Sequence, residues 1–246
     1  MSEHSYYKFS NSVLVAPLAA VILIWTVFWI ELRFQINLND FGLYPRRFSG
    51  LRGVFFSPFI HGSLEHLYNN TIPLALLLAS LFYFYRDVAI KVLLVGALFS
   101  ALITWGIGRP SYHIGASGII YLLVSFVFFK GIFTKYYRLV AVSLIVVFIY
   151  GSLLWYIFPT EDGISWEGHL GGFLTGLVLA FVVKTEVPSA KKYAWEYENY
   201  NEEDDAFLKH FDEDGNFIEQ KEEEIPDDNE SLKVTYVYKK NEDKKT

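Results

Sequence analysis

His113-Ile114-Gly115-Ala116-Ser117-Gly118-Ile119-Ile120-Tyr121 is the stretch on which the reading of this chain turns. A serine between glycines stands where a long apolar run begins, which places it at the opening of a membrane-buried helix. A hydroxyl there needs a polar partner or a water-filled cavity, because hydrocarbon offers neither. The flanking glycines let other backbone come close, and a helix N-terminus presents free N–H groups and the positive end of the dipole. Those conditions stabilise a developing oxyanion beside an attacking serine. Small residues that merely pack helices together in a bilayer give the same local pattern, so the stretch needs its context.

Working outward, six apolar segments lie near bilayer-spanning length, at approximately 13–31, 58–84, 88–107, 115–133, 138–158 and 167–183. The first continues apolar through Trp29 with no small-residue cleavage site, and reads as a retained span. The chain is therefore expected to be an all-α membrane protein with a 13–183 six-span domain, a short polar N-terminus at 1–12, and a tail at 184–246. Of its 246 residues, 52% are hydrophobic and the formal net charge is −6. That charge belongs to the tail, which holds 19 acidic and 10 basic side chains, leaving 8 acidic and 11 basic in residues 1–183. The balance gives no reason to expect nucleic acid. The absence of cysteine rules out disulfides and thiolate metal sites.

Six spans put both termini on one side. With that side cytoplasmic, the inner flanks hold Lys8, Arg86, Lys91, Lys130, Lys135, Arg138, Lys184, Lys191 and Lys192. The outer flanks hold Arg33, Arg46, Arg47, Arg52 and Arg109, so the positive-inside bias favours cytoplasmic termini. The long connection 32–57 mixes aromatics, Gly, Pro and Arg, which suits a structured element in the interface. The third and fifth spans carry no recognisable chemistry and read as scaffold. In the acidic tail, taken as largely disordered and cytoplasmic, Asp212-Glu213-Asp214-Gly215-Asn216 lacks the EF-hand spacing and reads as a turn at Asp214-Gly215. Leu232–Tyr238 has the alternation of a short strand, which suits both a small hairpin module and a partner-binding tail.

Two further clusters stand out. Pro58-Phe59-Ile60-His61-Gly62-Ser63-Leu64-Glu65-His66-Leu67-Tyr68-Asn69-Asn70 puts two His, one Glu and two Asn into a membrane segment, a costly concentration of polarity. His66 and Asn70, four apart, share one helix face, and His61 is expected to point elsewhere. Neither HExxH nor a suitably offset carboxylate is present, so no metal is expected. Pro73 is expected to kink or loosen this helix. In the last span, Glu167-Gly168-His169-Leu170-Gly171-Gly172-Phe173-Leu174-Thr175-Gly176 sets His169, Gly172 and Gly176 on one stripe. Small residues there would press His169 against a neighbouring helix. Were that neighbour to carry Ser117, the imidazole could act as its general base; a hydrogen-bonded core histidine on a packed glycine stripe is the alternative.

Taken together and in this order, HxxxxHxxxN, GxSG and GHxGGxxxG over about residues 10–185 resemble the rhomboid family of intramembrane serine proteases. The resemblance implies a six-transmembrane-helix bundle in which Ser117 is the nucleophile and His169 its general base and later general acid, without a triad carboxylate or cofactor. It implies an oxyanion hole from His66, Asn70 and the Ser117 N–H. Gly115 and Ala116 would form the turn exposing the serine, with Gly118 following it. Tyr121 would pack on the catalytic imidazole, and Gly172 and Gly176 would form the close-packing face. Many bacterial relatives carry Trp-Arg in the first loop, where this chain has Leu51-Arg52. Implied partners are single-pass transmembrane substrates within the lipid bilayer, and the minimal six-span form suggests a bacterial cell membrane. An inactive rhomboid-like protein that binds transmembrane helices is the main rival reading. A small transporter is the second, though no internal repeat supports it.

Overall fold

The computed structural model describes residues 9–160, 163–186, 193, 195, 197–205, 207–212 and 214–218. The expected strand at Leu232–Tyr238 and the first eight residues lie outside these. Seven α-helices occur among the described residues, and no β-strand, only isolated bridges. They are α1 (Ser12–Phe34), α2 (Gly53–Phe56), α3 (Leu64–Phe84), α4 (Ala89–Ile107), α5 (Ser117–Thr134), α6 (Tyr137–Tyr150) and α7 (Trp166–Val182). Five helical stretches are long and apolar enough to cross a bilayer: α1, α3, α4, α5, and α6 together with its 3₁₀ continuation to Ile157. At 17 residues α7 is shorter, rising roughly 25 Å at 1.5 Å per residue.

Two boundaries differ from the apolar runs. The second run starts at residue 58, but α3 starts at Leu64, because Ser57–Phe59 forms a 3₁₀ turn and the Ser63 hydroxyl caps the helix by accepting from His66 N at 3.1 Å. The helix then continues through Pro73. The fifth run ends near residue 158, but α6 stops at Tyr150 and Gly151–Ile157 winds on as 3₁₀ helix.

Helix α5 is the centre of the bundle. Its residues Ile120–Val127 are all buried, as expected of a helix apolar all round and covered on every side. It packs against α3, α4, α6 and α7, most extensively against α7. Glycine makes that approach close. A Cβ at Gly172 would collide with Gly118 O, and one at Gly176 with Leu122 O. On a second face of α7, a Cβ at Gly171 would lie 2.8 Å from Ser100 O and from Thr104 Oγ1 of α4. Serine hydroxyls within the bundle bond to nearby backbone: Ser125 donates to Phe173 O at 2.7 Å, and Ser143 to Leu139 O and Phe128 O at 2.9 Å. Buried Lys130 donates to Ala180 O at 3.3 Å and also to Val183 O, closing the last carbonyls of α7.

The first loop is ordered, as its composition suggests. It carries α2 and 3₁₀ turns at Asn39–Phe41, Phe48–Arg52 and Ser57–Phe59. Where the family's Trp-Arg pair would stand, Arg52 donates to Asp40 O at 2.6 Å and lies over the Phe41 ring at 4.8 Å. Trp105 of α4 donates its indole N–H to Arg47 O at 3.0 Å, and Leu43 forms an antiparallel bridge with His113. Phe48 and Phe55 project outward, 87% and 69% exposed.

Residues 191–246 form a separate unit. In its described part the Asp212 carboxylate accepts from Asn216 N at 2.7 Å and Asp214 N at 3.0 Å, and Gly215 adopts φ 81°. These bonds, chiefly those from Asn216, hold the carboxyl below its usual pKa and make the segment a turn bridged at Phe211 and Phe217.

The contrast among glycines is testable. Gly172→Ala forces a methyl into the Gly118 carbonyl and is expected to cost about 1–3 kcal/mol, lowering the thermal transition in detergent. At Gly106, where an added Cβ meets nothing within 4 Å, alanine is expected to leave the transition unchanged or raise it.

Candidate active site

The site is assembled where α5 and α7 both begin. Gly115 adopts φ 105°, a conformation costly for any residue with a Cβ, and turns the chain sharply before the helix. Its N–H donates to Ser57 O at 2.8 Å. A Cβ here would also lie 2.6 Å from the Cε1 and Nε2 atoms of His66, so the imidazole of α3 sits directly over this glycine. Ala116 is the N-cap residue of α5 without a side-chain cap, and Ser117 is the first helical residue. The Ser117 and Gly118 N–H groups therefore have no partner within the helix, while Ile119 N donates to Ala116 O at 3.0 Å. Ser117 is half-buried.

His169 is buried in the first turns of α7, whose N-cap Ser165 accepts from Gly168 N at 3.3 Å. Its imidazole stacks on Tyr121, with ring centroids 4.2 Å apart and planes 9° from parallel. Tyr121 stands one turn beyond Ser117 on α5 and is fixed in turn by donating to Leu153 O at 2.7 Å. His169 Nδ1 lies 2.9 Å from Tyr156 O. A carbonyl only accepts, so Nδ1 carries the proton of the neutral ring and Nε2 keeps its lone pair. No hydrogen bond joins Ser117 and His169 among the described residues.

The expected residues thus converge: Gly115, Ala116, Ser117, Gly118, Tyr121, His66 and His169 surround one region, with Gly172 and Gly176 zipping the helices below it. Asn70 is buried on the same helix face as His66, but its amide donates to His66 O at 2.8 Å. His61 does not point elsewhere, as helical spacing suggested. It precedes α3, so that spacing does not apply, and its ring meets the His66 ring edge-on at 5.0 Å. His61 Nδ1 faces Phe59 O at 3.3 Å, while Nε2 accepts from Ala116 N at 3.4 Å, tying the loop before α3 to the serine turn. The fifth span, read as bare scaffold, supplies through its 3₁₀ continuation the carbonyls of Leu153 and Tyr156 that hold Tyr121 and His169. Backbone carbonyls have no sequence signature. Beside Ser117 lies a cavity of about 50 Å³, lined also by Ser57, Ser100, Thr104, His113 and Ser165.

Comparison with known proteins identifies the family. A family profile described as the Rhomboid domain matches residues 49–186. An uncharacterized protein of Mycobacterium bovis and one of Mycobacterium tuberculosis are each 35% identical over 188 residues, covering 71% of this chain and 76% of theirs. An uncharacterized protein of Mycobacterium leprae is 31% identical over 183 residues, covering 69% of this chain and 70% of its own. The chain belongs to the rhomboid family, and with its several apolar helices it is a multi-pass integral membrane protein.

The tautomers follow from the bonding and can be read by ¹⁵N NMR of histidine-labelled protein. His61 and His169 are expected to show neutral rings protonated at Nδ1; an Nε2–H signal from His169 would contradict the site as described.

Proposed function

We propose that this protein is an intramembrane serine endopeptidase that hydrolyses peptide bonds in or next to transmembrane segments of membrane proteins. The observation that carries the reading is the stack of His169 on Tyr121, one turn beyond Ser117 on α5, with Nδ1 held by the Tyr156 carbonyl so that Nε2 is the nitrogen left to act as a base. On this reading Nε2 takes the Ser117 proton as Oγ attacks the substrate carbonyl. The Nδ1–H bond to Tyr156 O strengthens as the ring becomes charged, which serves the orienting part that a carboxylate plays in a triad. The oxyanion receives the Ser117 N–H at the positive end of α5, with His66 and Asn70 as side-chain donors. One Asn70 amide N–H is held by His66 O, which leaves the second for the oxyanion. The imidazolium then protonates the leaving amine, and water completes hydrolysis of the acyl-enzyme. The cavity of about 50 Å³ beside Ser117 is large enough for a water and offers it the Ser57, Ser100, Thr104 and Ser165 side chains, though His169 does not line it.

The membrane reading that accompanies it counts α7 as a sixth span, shortened where its entrance faces a hydrated cavity. Both termini are cytoplasmic by the lysine and arginine bias, and the cell membrane of a bacterium is the expected location. Substrates are single-pass membrane proteins, met within the lipid bilayer. No cofactor, metal or nucleic acid enters the reaction. The rival, an inactive rhomboid-like protein that binds transmembrane helices, draws on one observation: one of the two Asn70 amide N–H groups is committed to its own helix.

Purified protein in liposomes, exposed to a fluorescent fluorophosphonate and to a model single-span substrate, separates the two. Ser117→Ala and His169→Ala are expected to abolish both labelling and cleavage, and Tyr121→Ala to reduce cleavage about 10–100-fold by freeing the imidazole. Wild type that is folded yet neither labels nor cleaves would establish the helix-binding reading instead.

A further inference from the structure

The proposed mechanism leaves two buried groups unused, Glu167 and His113. Glu167 is 1% exposed and lies two residues before His169, on another face of α7. Its Oε1 accepts from the backbone N–H of Arg109 at 3.0 Å and lies 3.8 Å from Arg109 Nε. The same guanidinium donates to Ile164 O. Glu167 Oε2 has no hydrogen-bond partner among the described residues. A carboxylate held this deep, with a single ionic partner and one oxygen unbonded, is costly to bury.

His113 is 5% exposed, in the loop that delivers Ser117. Its Nε2 lies 3.2 Å from Arg109 O, which only accepts, so Nε2 bears the proton. Nδ1 then accepts the Ser165 hydroxyl at 2.5 Å, while Ser165 Oγ accepts Gly168 N–H. Burial lowers the imidazole below its ordinary pKa, against the opposing bond to Arg109 O and the nearby Glu167, consistent with the neutral ring this pattern requires. The backbone of His113 is doubly bonded to Leu43, through Leu43 N to His113 O at 3.0 Å and His113 N to Leu43 O at 2.8 Å.

Two bridges therefore join the loop before Ser117 to the turn before His169, and both pass through Arg109. One runs Arg109–Glu167, the other Arg109–His113–Ser165. They attach at residues 164, 165 and 167 on one side and 109 and 113 on the other. We infer that Arg109, His113, Ser165 and Glu167 are positioning residues, a polar clamp that sets the separation and angle of Ser117 and His169 for the reaction proposed above. The inference rests on that proteolytic reading. The glycine stripe fixes how close α5 and α7 lie along their length; the clamp fixes their open ends, where glycine contact stops and the cavity begins.

The test is steady-state cleavage of a single-span substrate by full-length protein in detergent, with a thermal transition recorded for each variant. Ser165→Ala and Glu167→Ala are expected to lower kcat about 10–100-fold while KM changes less than about threefold. Ser165→Thr, which keeps cap and hydroxyl, and Glu167→Gln, which keeps an acceptor for Arg109 N–H, are expected to stay within about threefold of wild-type kcat. A purely structural role would instead lower the amount of folded protein and leave kcat per labelled site unchanged. Unchanged kcat per site in both alanine variants, with Ser117→Ala inactive, overturns the clamp and leaves the dyad standing. Cleavage that survives Ser117→Ala overturns the dyad itself. Where Glu167→Ala yields no folded protein, Ser165→Ala against Ser165→Thr decides by the same criterion.

Discussion

Contact between the backbones of α5 and α7 is the constraint on which the rest of this molecule depends. Within lipid, helices gain little from hiding apolar side chains from one another, since the solvent is itself apolar, so association relies on close packing and interhelical hydrogen bonds. At Gly172 and Gly176 the approach is so close that a methyl group would overlap the carbonyls of Gly118 and Leu122. Once those two helices are at that distance, little freedom remains for what stands at their entrances. Tyr121 and His169 must then face one another, and they meet as parallel rings.

Everything around that contact holds α7 in its register. Glycine on a second face brings α4 to within van der Waals contact, and Lys130 closes the carbonyls at the far end. Helix α7 is thereby restrained at its C-terminus, along two sides and at its capped N-terminus. A helix of 17 residues, shorter than its neighbours α4 and α5, would otherwise have room to slide, since bilayers tolerate mismatch at modest cost. A slide of one residue would rotate His169 by about 100° and out of its stack, so the restraints bear directly on the chemistry proposed.

Much of this was legible in the sequence, for reasons that differ by feature. Apolar run length located the helices, and the i, i+3, i+7 stripe of His169, Gly172 and Gly176 identified the face of α7 that meets α5, because helical periodicity converts spacing into direction. The same logic failed at His61, where it was applied before the helix had begun: Pro58, Phe59 and Ile60 are apolar but form a 3₁₀ turn, and only the Ser63 cap marks the true start. It failed again at the end of the fifth run, where apolarity continues past Tyr150 while the winding changes. The carbonyls of Leu153 and Tyr156 belong to that misread segment, and no side-chain identity announces a carbonyl. Gly171 lies off the stripe that carries the histidine, so the spacing gives no sign of the second packing face of α7.

The tighter winding after α6 also bears on the proposed dyad, which has no carboxylate. A triad acid selects the tautomer of its histidine and steadies the ring when it gains charge. Tyr156 O meets the first requirement outright, since a carbonyl cannot donate, and it meets the second with a partial charge only. What it avoids is the desolvation of a full negative charge beside an apolar bundle, which would cost several kcal/mol unless paired. The chain does bury one carboxylate nearby, Glu167, and gives it Arg109 as partner on a face that His169 does not share. The full charge is thus kept where a cation can answer it, and the imidazole is oriented by a dipole and an aromatic face, both of which a membrane interior accommodates at smaller cost.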